Sequence, residues 1–276
     1  MQIGIVGLGL IGGSFARAIK EQTDHTVLAY DIDRSTLLGA SLIGAIDGEL
    51  DDVSLRDCDL ILLSLYPQAV IEYVTAHADS IRPGAIVIDC CGVKRVVCAP
   101  LCALAQKQGF HFLGGHPMAG TQFWGFAHAR ASLFRGASMI LTTDNVNDIH
   151  VLETVKQLFL SLGFEKLTFT TAKEHDEIIA YTSQLAHVVS NAYVKSPTAL
   201  ARKGFSAGSY RDMTRVAKLN VDMWTELFLE NSDNLTKELD LLIENLQQYR
   251  DAIAEEDEAR LRQLLEDGRQ TKRQAG

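Results

Sequence analysis

Residues 1–12 read Met1-Gln-Ile-Gly-Ile-Val-Gly-Leu-Gly-Leu-Ile-Gly12. Ile3, Ile5 and Val6 form a short apolar run, the pattern of a parallel strand covered on both faces. Gly7-Leu8-Gly9-Leu10-Ile11-Gly12 follows at once, and residues 14–20 continue with helical spacing. Strand, glycine turn and helix in that order are the context of a dinucleotide fingerprint. Gly7 serves the tight turn, Gly9 lets the backbone approach a pyrophosphate, and Gly12 lets the helix pack close to the strand. The phosphates would meet free N–H groups at the positive end of the helix. A second strand over residues 25–30 leads into Asp31, about 20 residues past the last glycine. A carboxylate there accepts hydrogen bonds from a ribose 2′-hydroxyl and repels a 2′-phosphate. That favours NAD, while Arg34 nearby keeps NADP open. The competing reading is a glycine-rich turn in some other α/β protein.

Working outward, apolar runs alternate with helical segments over the first ~170 residues, which predicts a mostly parallel, doubly wound sheet. Strands are expected over 60–65, 85–89, 110–115, 137–142 and 164–170. Helices are expected over 33–43, 67–80, 95–108 and 148–162. Pro67 suits a first helical position. From Thr171 onward the strand signals stop, and helices are expected over 171–196, 212–246 with breaks, and 248–268. Only residues 271–276 read as frayed. The expectation is an α/β fold: a Rossmann-type domain over 1–168, then an all-helical domain over 169–276. Apolar spacings such as Leu239, Leu242, Ile243 and Leu246, then Leu261, Leu264 and Leu265, leave faces that a twin would cover. A homodimer through the C-terminal helices is therefore expected.

Composition narrows the function classes. The 276 residues are 47% hydrophobic and 22% charged, with a net charge of −9. An acidic chain without a basic cluster argues against nucleic acid or an anionic membrane as partner. No stretch approaches the ~20 apolar residues of a membrane span. The apolar start lacks the basic region of a signal peptide. The five cysteines show no metal-ligand pairing, so they read as reduced thiols in the cytoplasm, and no metal is expected.

In an open α/β sheet, ligands lie at the carboxyl ends of the strands. His116 follows the strand at 110–115 between Gly115 and Pro117, which places it on a rigid, open turn. A histidine titrating near neutrality can take a proton from a hydroxyl as hydride leaves the same carbon. A solvent-facing turn histidine would show the same pattern. At 100° per residue, Asp176, Ser183, His187 and Asn191 share one stripe of an otherwise apolar helix, so the stripe faces either a wet cavity or bulk water. Ser209 and Asp212 read as a capping box that opens a helix. Arg215 follows, oriented by Asp212, as a fork for a carboxylate. A surface ion pair is the alternative there.

Several of these segments together resemble one family. They are Gly7-Leu-Gly-Leu-Ile-Gly-Gly-Ser14, Gly115-His-Pro-Met-Ala-Gly-Thr121, Glu174-His-Asp176, Arg211-Asp-Met-Thr-Arg215, and Met223-Trp224 with Phe228-Leu-Glu-Asn231. In order, across nearly the whole chain, they are similar to the prephenate/arogenate dehydrogenases of tyrosine biosynthesis. The resemblance implies NAD-dependent oxidative decarboxylation of prephenate to 4-hydroxyphenylpyruvate, with arogenate to tyrosine, or a related β-hydroxyacid-type dehydrogenase, as alternatives. It implies that His116 is the catalytic residue, and that Arg215, His187, Thr121 and Gln122 bind substrate. Cofactor contacts are assigned to Gly7, Leu8, Gly9, Leu10, Ile11, Gly12, Asp31, Leu65 and Gly92. Three positions depart from the family pattern. Gly92 stands for a serine that can touch the catalytic histidine and nicotinamide, Gln122 for glutamate, and Gln184 for histidine. Loss of an anion at 122 favours prephenate over arogenate, whose side chain carries an ammonium.

Overall fold

The computed structural model describes residues 1–121, 123–144, 146, 148–201, 204–205 and 207–275. Gln122, to which substrate contact is assigned above, lies outside the described residues. The first part runs β1 (Gln2–Val6), α1 (Leu10–Gln22), β2 (Thr26–Tyr30), α2 (Arg34–Leu42), β3 (Gly48–Glu49), α3 (Asp52–Leu55) and β4 (Leu60–Leu63). It continues with α4 (Pro67–His77), β5 (Ile86–Asp89), α5 (Arg95–Gln108), β6 (His111–Pro117), β7 (Ser138–Thr142), α6 (Ile149–Ser161) and β8 (Lys166–Thr170).

Among the described residues these strands make one eight-stranded sheet in the order β3-β2-β1-β4-β5-β6-β7-β8. The first six run parallel; β7 is antiparallel to β6, and β8 parallels β7. The order 3-2-1-4-5-6 reverses direction between β1 and β4, and that switch point opens a crevice at the strands' carboxyl ends. Leu60, Ile61, Leu62 and Leu63 are buried throughout, as a doubly covered strand requires. On one face Phe15 of α1 stacks on Phe134 at 4.2 Å, and both pack with Phe159 and Phe164. On the other face, Val70 and Val74 of α4 pack with Val97 and Leu101 of α5.

The helical part runs α7 (Ala172–Ile179), one π-helical stretch (Ala180–Leu185), α8 (Ala186–Tyr193), α9 (Thr198–Ala201), α10 (Gly208–Thr214), α11 (Val221–Glu230), α12 (Ser232–Ala254) and α13 (Glu258–Ala275). Thr171 opens α7 by accepting from the Glu174 N–H, and Asn220 opens α11 by accepting from Met223 N–H.

The structure corrects several sequence expectations. β3 and α3 carried too little pattern to be read. The helix expected over 212–246 breaks at Asn231, and α12 runs on through the break expected at 247. The final helix continues to Ala275, where Lys272 and Arg273 complement its negative end. Ser209 does not cap α10: Ala207 holds the cap position, without a side-chain bond, and Ser209 lies inside the helix.

Candidate active site

The glycine turn is closed where the chain packs and open where a ligand would lie. Gly7 sits at φ +88°, and a Cβ there would come within 2.7 Å of Ser64 O and of Leu65 Cδ2. At Gly12 a Cβ would stand 1.9 Å from Gly7 O. At Gly9 it would meet nothing within 4 Å, so the space above the turn is free. Gly9 is also the N-cap of α1 and has no side chain to satisfy the first-turn N–H groups, which include those of Leu10 and Ile11. Open space plus orphan donors at a positive helix end fits a pyrophosphate. Leu8 is buried, and its N–H donates to Asp31 Oδ2 at 2.7 Å, while Asp33 N–H donates to Oδ1 at 2.9 Å. Asp31 thus ties the turn to the end of β2, and its oxygens keep lone pairs for ribose hydroxyls. Arg34 pairs with Glu49 at 2.6 Å.

Three strands along from β1, β6 delivers His116. The strand runs two residues further than expected: His116 pairs with Ile140, and Pro117 with Met139, of antiparallel β7. His116 is therefore a part-buried strand residue rather than one on an open turn. The approach to it is crowded. A Cβ at Gly114 would stand 2.4 Å from Thr142 Oγ1, and one at Gly115 would stand 2.4 Å from Asp89 O. A buried ion pair lies beside these glycines. Lys94 Nζ donates to Asp89 Oδ2 and, at 2.5 Å, to Gly115 O. Asp89 also accepts from the N–H groups of Cys91 (2.9 Å) and Gly115 (3.2 Å). Burial pushes the Lys94 ammonium down, but Asp89 outweighs it and keeps the amine charged.

His116 Nδ1 lies 2.9 Å from His175 Nε2, and His175 Nδ1 lies 2.8 Å from Asp176 Oδ1. Asp176 is fully buried and also accepts from Lys94 N–H (2.7 Å), Arg95 N–H (2.9 Å) and Arg95 Nε (3.2 Å). A carboxylate from α7 thus caps the N-terminus of α5 across the two parts of the chain. Arg95 continues to Asp233 and Asn231, and Asn231 donates to Asp176 O and to Gln184 Oε1 at 2.8 Å each. Burial, then the neighbouring His175 and Lys94, hold His116 well below the usual imidazole range. The ring is therefore neutral at pH 7.

The helical part carries a second cluster of polar and aromatic side chains. His187 stacks on Trp224 with ring centroids 3.9 Å apart, and Nδ1 bonds Ser183 O at 2.8 Å. Burial lowers the His187 pKa, and the charge of nearby Arg215 lowers it further. Leu227, one turn on from Trp224, covers Gly92: a Cβ at 92 would meet Leu227 Cδ1 at 3.3 Å. Leu227 and Trp224 thus place α11 over Gly92 and against His187. Arg215 is exposed and forms no ion pair with Asp212, its expected orienting partner. The single stripe expected on α7–α8 is divided. The π-helical stretch rotates α8 relative to α7, so Asp176 faces α5 while His187 faces Trp224 and Asn191 bonds Ala217 O. Thr121 is exposed, and its hydroxyl closes a local turn with Phe123 instead of facing the other site residues.

Residues 15–166 match the model of the prephenate dehydrogenase nucleotide-binding domain, and residues 171–267 match that of the prephenate dehydrogenase dimerization domain. The chain belongs to the prephenate dehydrogenase family. It is 33% identical over 267 residues to the cyclohexadienyl dehydrogenase of Zymomonas mobilis, covering 92% of this chain and 89% of that protein. It is 27% identical over 261 residues to the prephenate dehydrogenase of Bacillus subtilis, covering 92% of this chain and 70% of that one. Among solved structures it is similar to prephenate dehydrogenase from A. aeolicus in complex with hydroxyphenyl propionate and NAD+. That likeness has TM-score 0.86 and 27% identity over 100% of this chain and 98% of the other. Synechocystis arogenate dehydrogenase gives TM-score 0.83 and 27% identity over all of both chains.

Among prephenate dehydrogenase family members, this chain's departures have structural counterparts. Gln184 is buried and donates to Leu227 O at 2.9 Å, so it braces α11 rather than facing the cleft. Gly92 lies under Leu227, and the neighbour of His116 is His175. Sequence reading missed His175, Trp224 and Leu227 as site residues. The Glu174-His-Asp176 segment was the available signal for the first, but its partner lies 59 positions away.

Proposed function

We propose that this enzyme catalyses the NAD-dependent oxidative decarboxylation of prephenate to 4-hydroxyphenylpyruvate. The observation that carries the reading is a part-buried His116 at the carboxyl end of β6, bonded to His175, in the same sheet whose first strand leads into an open glycine turn. When bound, NAD supplies the hydride acceptor for C4 of the ring. Gly7, Leu8, Gly9, Leu10, Ile11, Gly12, Asp31, Leu65 and Gly92 would hold it. His116 Nε2 takes the proton of the C4 hydroxyl as that carbon becomes a carbonyl centre. The bond to the ring carboxylate then breaks, CO2 leaves, and its electron pair passes through the ring to the C4 oxygen, which takes the proton back from His116 as the phenol. Arg215 grips a substrate carboxylate, and the Trp224–His187 stack gives the ring an aromatic wall.

In this reading residues 1–168 hold the cofactor, and 169–276 complete the substrate site and form a homodimer. α12 buries only Leu235 and Ala252, while Leu241, Ile243, Leu246 and Ile253 are about half exposed or more. That apolar face and the match to a dimerization domain support a twofold partner. The cysteines, none of them in a disulfide, support a cytoplasmic setting. No helix among the described residues is long and apolar enough to cross a membrane.

Steady-state rates with prephenate and with arogenate, each with NAD and NADP, test the reading. NADH and CO2 formed from prephenate with NAD are expected. A higher kcat/KM with arogenate would transfer the assignment to the amino substrate, and no turnover of either would reject it. Light scattering on a sizing column tests the dimer, and a monomeric mass would reject it.

A further inference from the structure

We propose that His175 is a positioning residue: with Asp176 it fixes His116 as the tautomer that offers a bare Nε2 to substrate, and it receives the proton from the far side of that ring. The proposal rests on the reading of His116 as the base.

Protons can be counted along a chain of two hydrogen bonds, Asp176–His175–His116. Asp176 accepts from His175, Lys94 N–H, Arg95 N–H and Arg95 Nε, all within 3.2 Å. A buried carboxylate with four donors is ionised. Burial opposes the charge, but the bonds from His175 and from the Arg95 and Lys94 N–H groups outweigh it and keep the group below the usual carboxylate range. It has no proton to give, so His175 Nδ1 carries the hydrogen of that bond. A neutral imidazole has only one N–H, which leaves His175 Nε2 bare. Nε2 lies 2.9 Å from His116 Nδ1, so His116 must be the donor and carry its hydrogen on Nδ1. His116 Nε2 is then the free lone pair.

The same chain says where the charge goes. When His116 takes the hydroxyl proton on Nε2, its Nδ1 proton can cross to His175 Nε2. His116 ends neutral with hydrogen on Nε2, and His175 ends as imidazolium against ionised Asp176. One proton has arrived and one has moved on, so the count balances. The other charges facing the pair are the Lys94 ammonium, which disfavours a cation on either ring, and Asp89, which offsets it at His175. Asp176 touches His175 alone of the two imidazoles, so the charge rests better there. Protonation of His175 from solvent has the opposite effect. It makes both its nitrogens donors, turns His116 Nδ1 into an acceptor and puts hydrogen on Nε2, which disables the base. Asp176 also caps α5, so substituting it would mix these roles with folding. His175 is the position to change.

Two variants separate accepting a hydrogen bond from accepting a proton. His175→Leu removes both. His175→Gln keeps an oxygen for His116 Nδ1–H but cannot take up a proton. With full-length enzyme, prephenate and NAD, His175→Leu is expected to lower kcat by roughly 10²-fold with KM and NAD affinity within about twofold, the pattern of lost transition-state interaction. His175→Gln should recover part of that loss, and its acid limb should report a single imidazole. Nitrogen-15 histidine spectra of the wild type at pH 7 should show His116 with bare Nε2, a result that needs no variant to fold. Hydrogen on His116 Nε2 at pH 7 would overturn the proposal, as would His175→Leu with wild-type kcat and an unchanged acid limb. If His116→Asn kept full turnover, the base assignment itself would fail, whatever His175 does.

Discussion

The glycine turn and the histidine pair stand at carboxyl ends of the same sheet, but they are assembled differently. Gly7, Gly9 and Gly12 are fixed by their own backbone and by Ser64, Leu65 and Asp31, all from the first half of the sheet. His116 is held from outside the sheet by α7, which supplies His175 and Asp176 from beyond the last strand. The first region is a local solution to binding phosphate. The second joins two parts of the chain, since Asp176 both orients a ring and caps α5. A site of the second kind ties catalysis to the seating of one domain on the other.

Removing the base tests the second region at its centre. His116→Asn should lower kcat by roughly 10²–10⁴-fold with little change in KM, measured by NADH absorbance. Retained turnover would remove His116 from the chemistry. The first region should respond in affinity instead. Gly12→Ala sets a methyl 1.9 Å from Gly7 O, where the neighbour is backbone and cannot rotate away. Overpacking of about 1–3 kcal/mol corresponds to roughly 10- to 100-fold weaker NAD binding by fluorescence titration. If binding were unchanged, the turn would not be the cofactor's seat. Arg215→Gln should raise KM for prephenate by about tenfold, the scale of one lost charged hydrogen bond, with a smaller change in kcat. An unaltered KM would take Arg215 out of the substrate wall.

The contrast also sets what the sequence could reveal. Strand, turn and helix occupy consecutive residues, so residue order alone displays the cofactor seat. Its chemistry is legible because Gly7 and Gly12 answer close approaches that a Cβ would prevent, while Gly9 leaves the space above the turn open. His116 was legible as a residue but not in its setting, because pairing with antiparallel β7 leaves no mark in the run at 110–115. His175 was hidden for two reasons. Its partner is distant in sequence, and the π-helical stretch after Ile179 breaks the 100° rule used to sort that helix into faces. Arg215 reads in the sequence as a candidate carboxylate fork oriented by Asp212, and in the fold no bond from Asp212 holds its side chain. Its neighbour is His187, on another helix.

The acidic range offers a finer comparison. Burial lowers His116 and His175 from the usual imidazole value, and Asp176 and Asp89 only partly offset this at His175. The acid limb of kcat/KM should therefore fall below the ordinary imidazole value of about 6.5. Unfolded imidazoles take protons below that value while the folded ones resist, so stability should decline as pH falls from about 6.5. Thermal melts from pH 7 to pH 5 should show the decline, and a flat Tm would contradict burial of neutral rings.

Glu230 should give the smallest effect and the opposite slope. Burial, with Glu226 and Asp176 nearby, raises its carboxyl to about 7, and its Oε2 is buried without a hydrogen-bond partner among the described residues. One turn earlier, Glu226 accepts from Gln68 N–H at 3.0 Å, so α11 is latched to the start of α4 beside the crevice. A carboxyl whose folded value exceeds its unfolded one binds its proton more tightly in the fold. The penalty therefore grows as pH rises from about 4.3, the unfolded value, toward 7, and is complete above that. Glu230→Gln keeps the shape and removes the charge. It should raise Tm by a few degrees at pH 8 and hardly at all at pH 4, where the carboxyl is protonated in the folded and the unfolded state alike. Equal shifts at both pH values would mean that the amide acts through new hydrogen bonds. The repulsion behind the α11 latch would then play no part in seating the helical domain on the sheet.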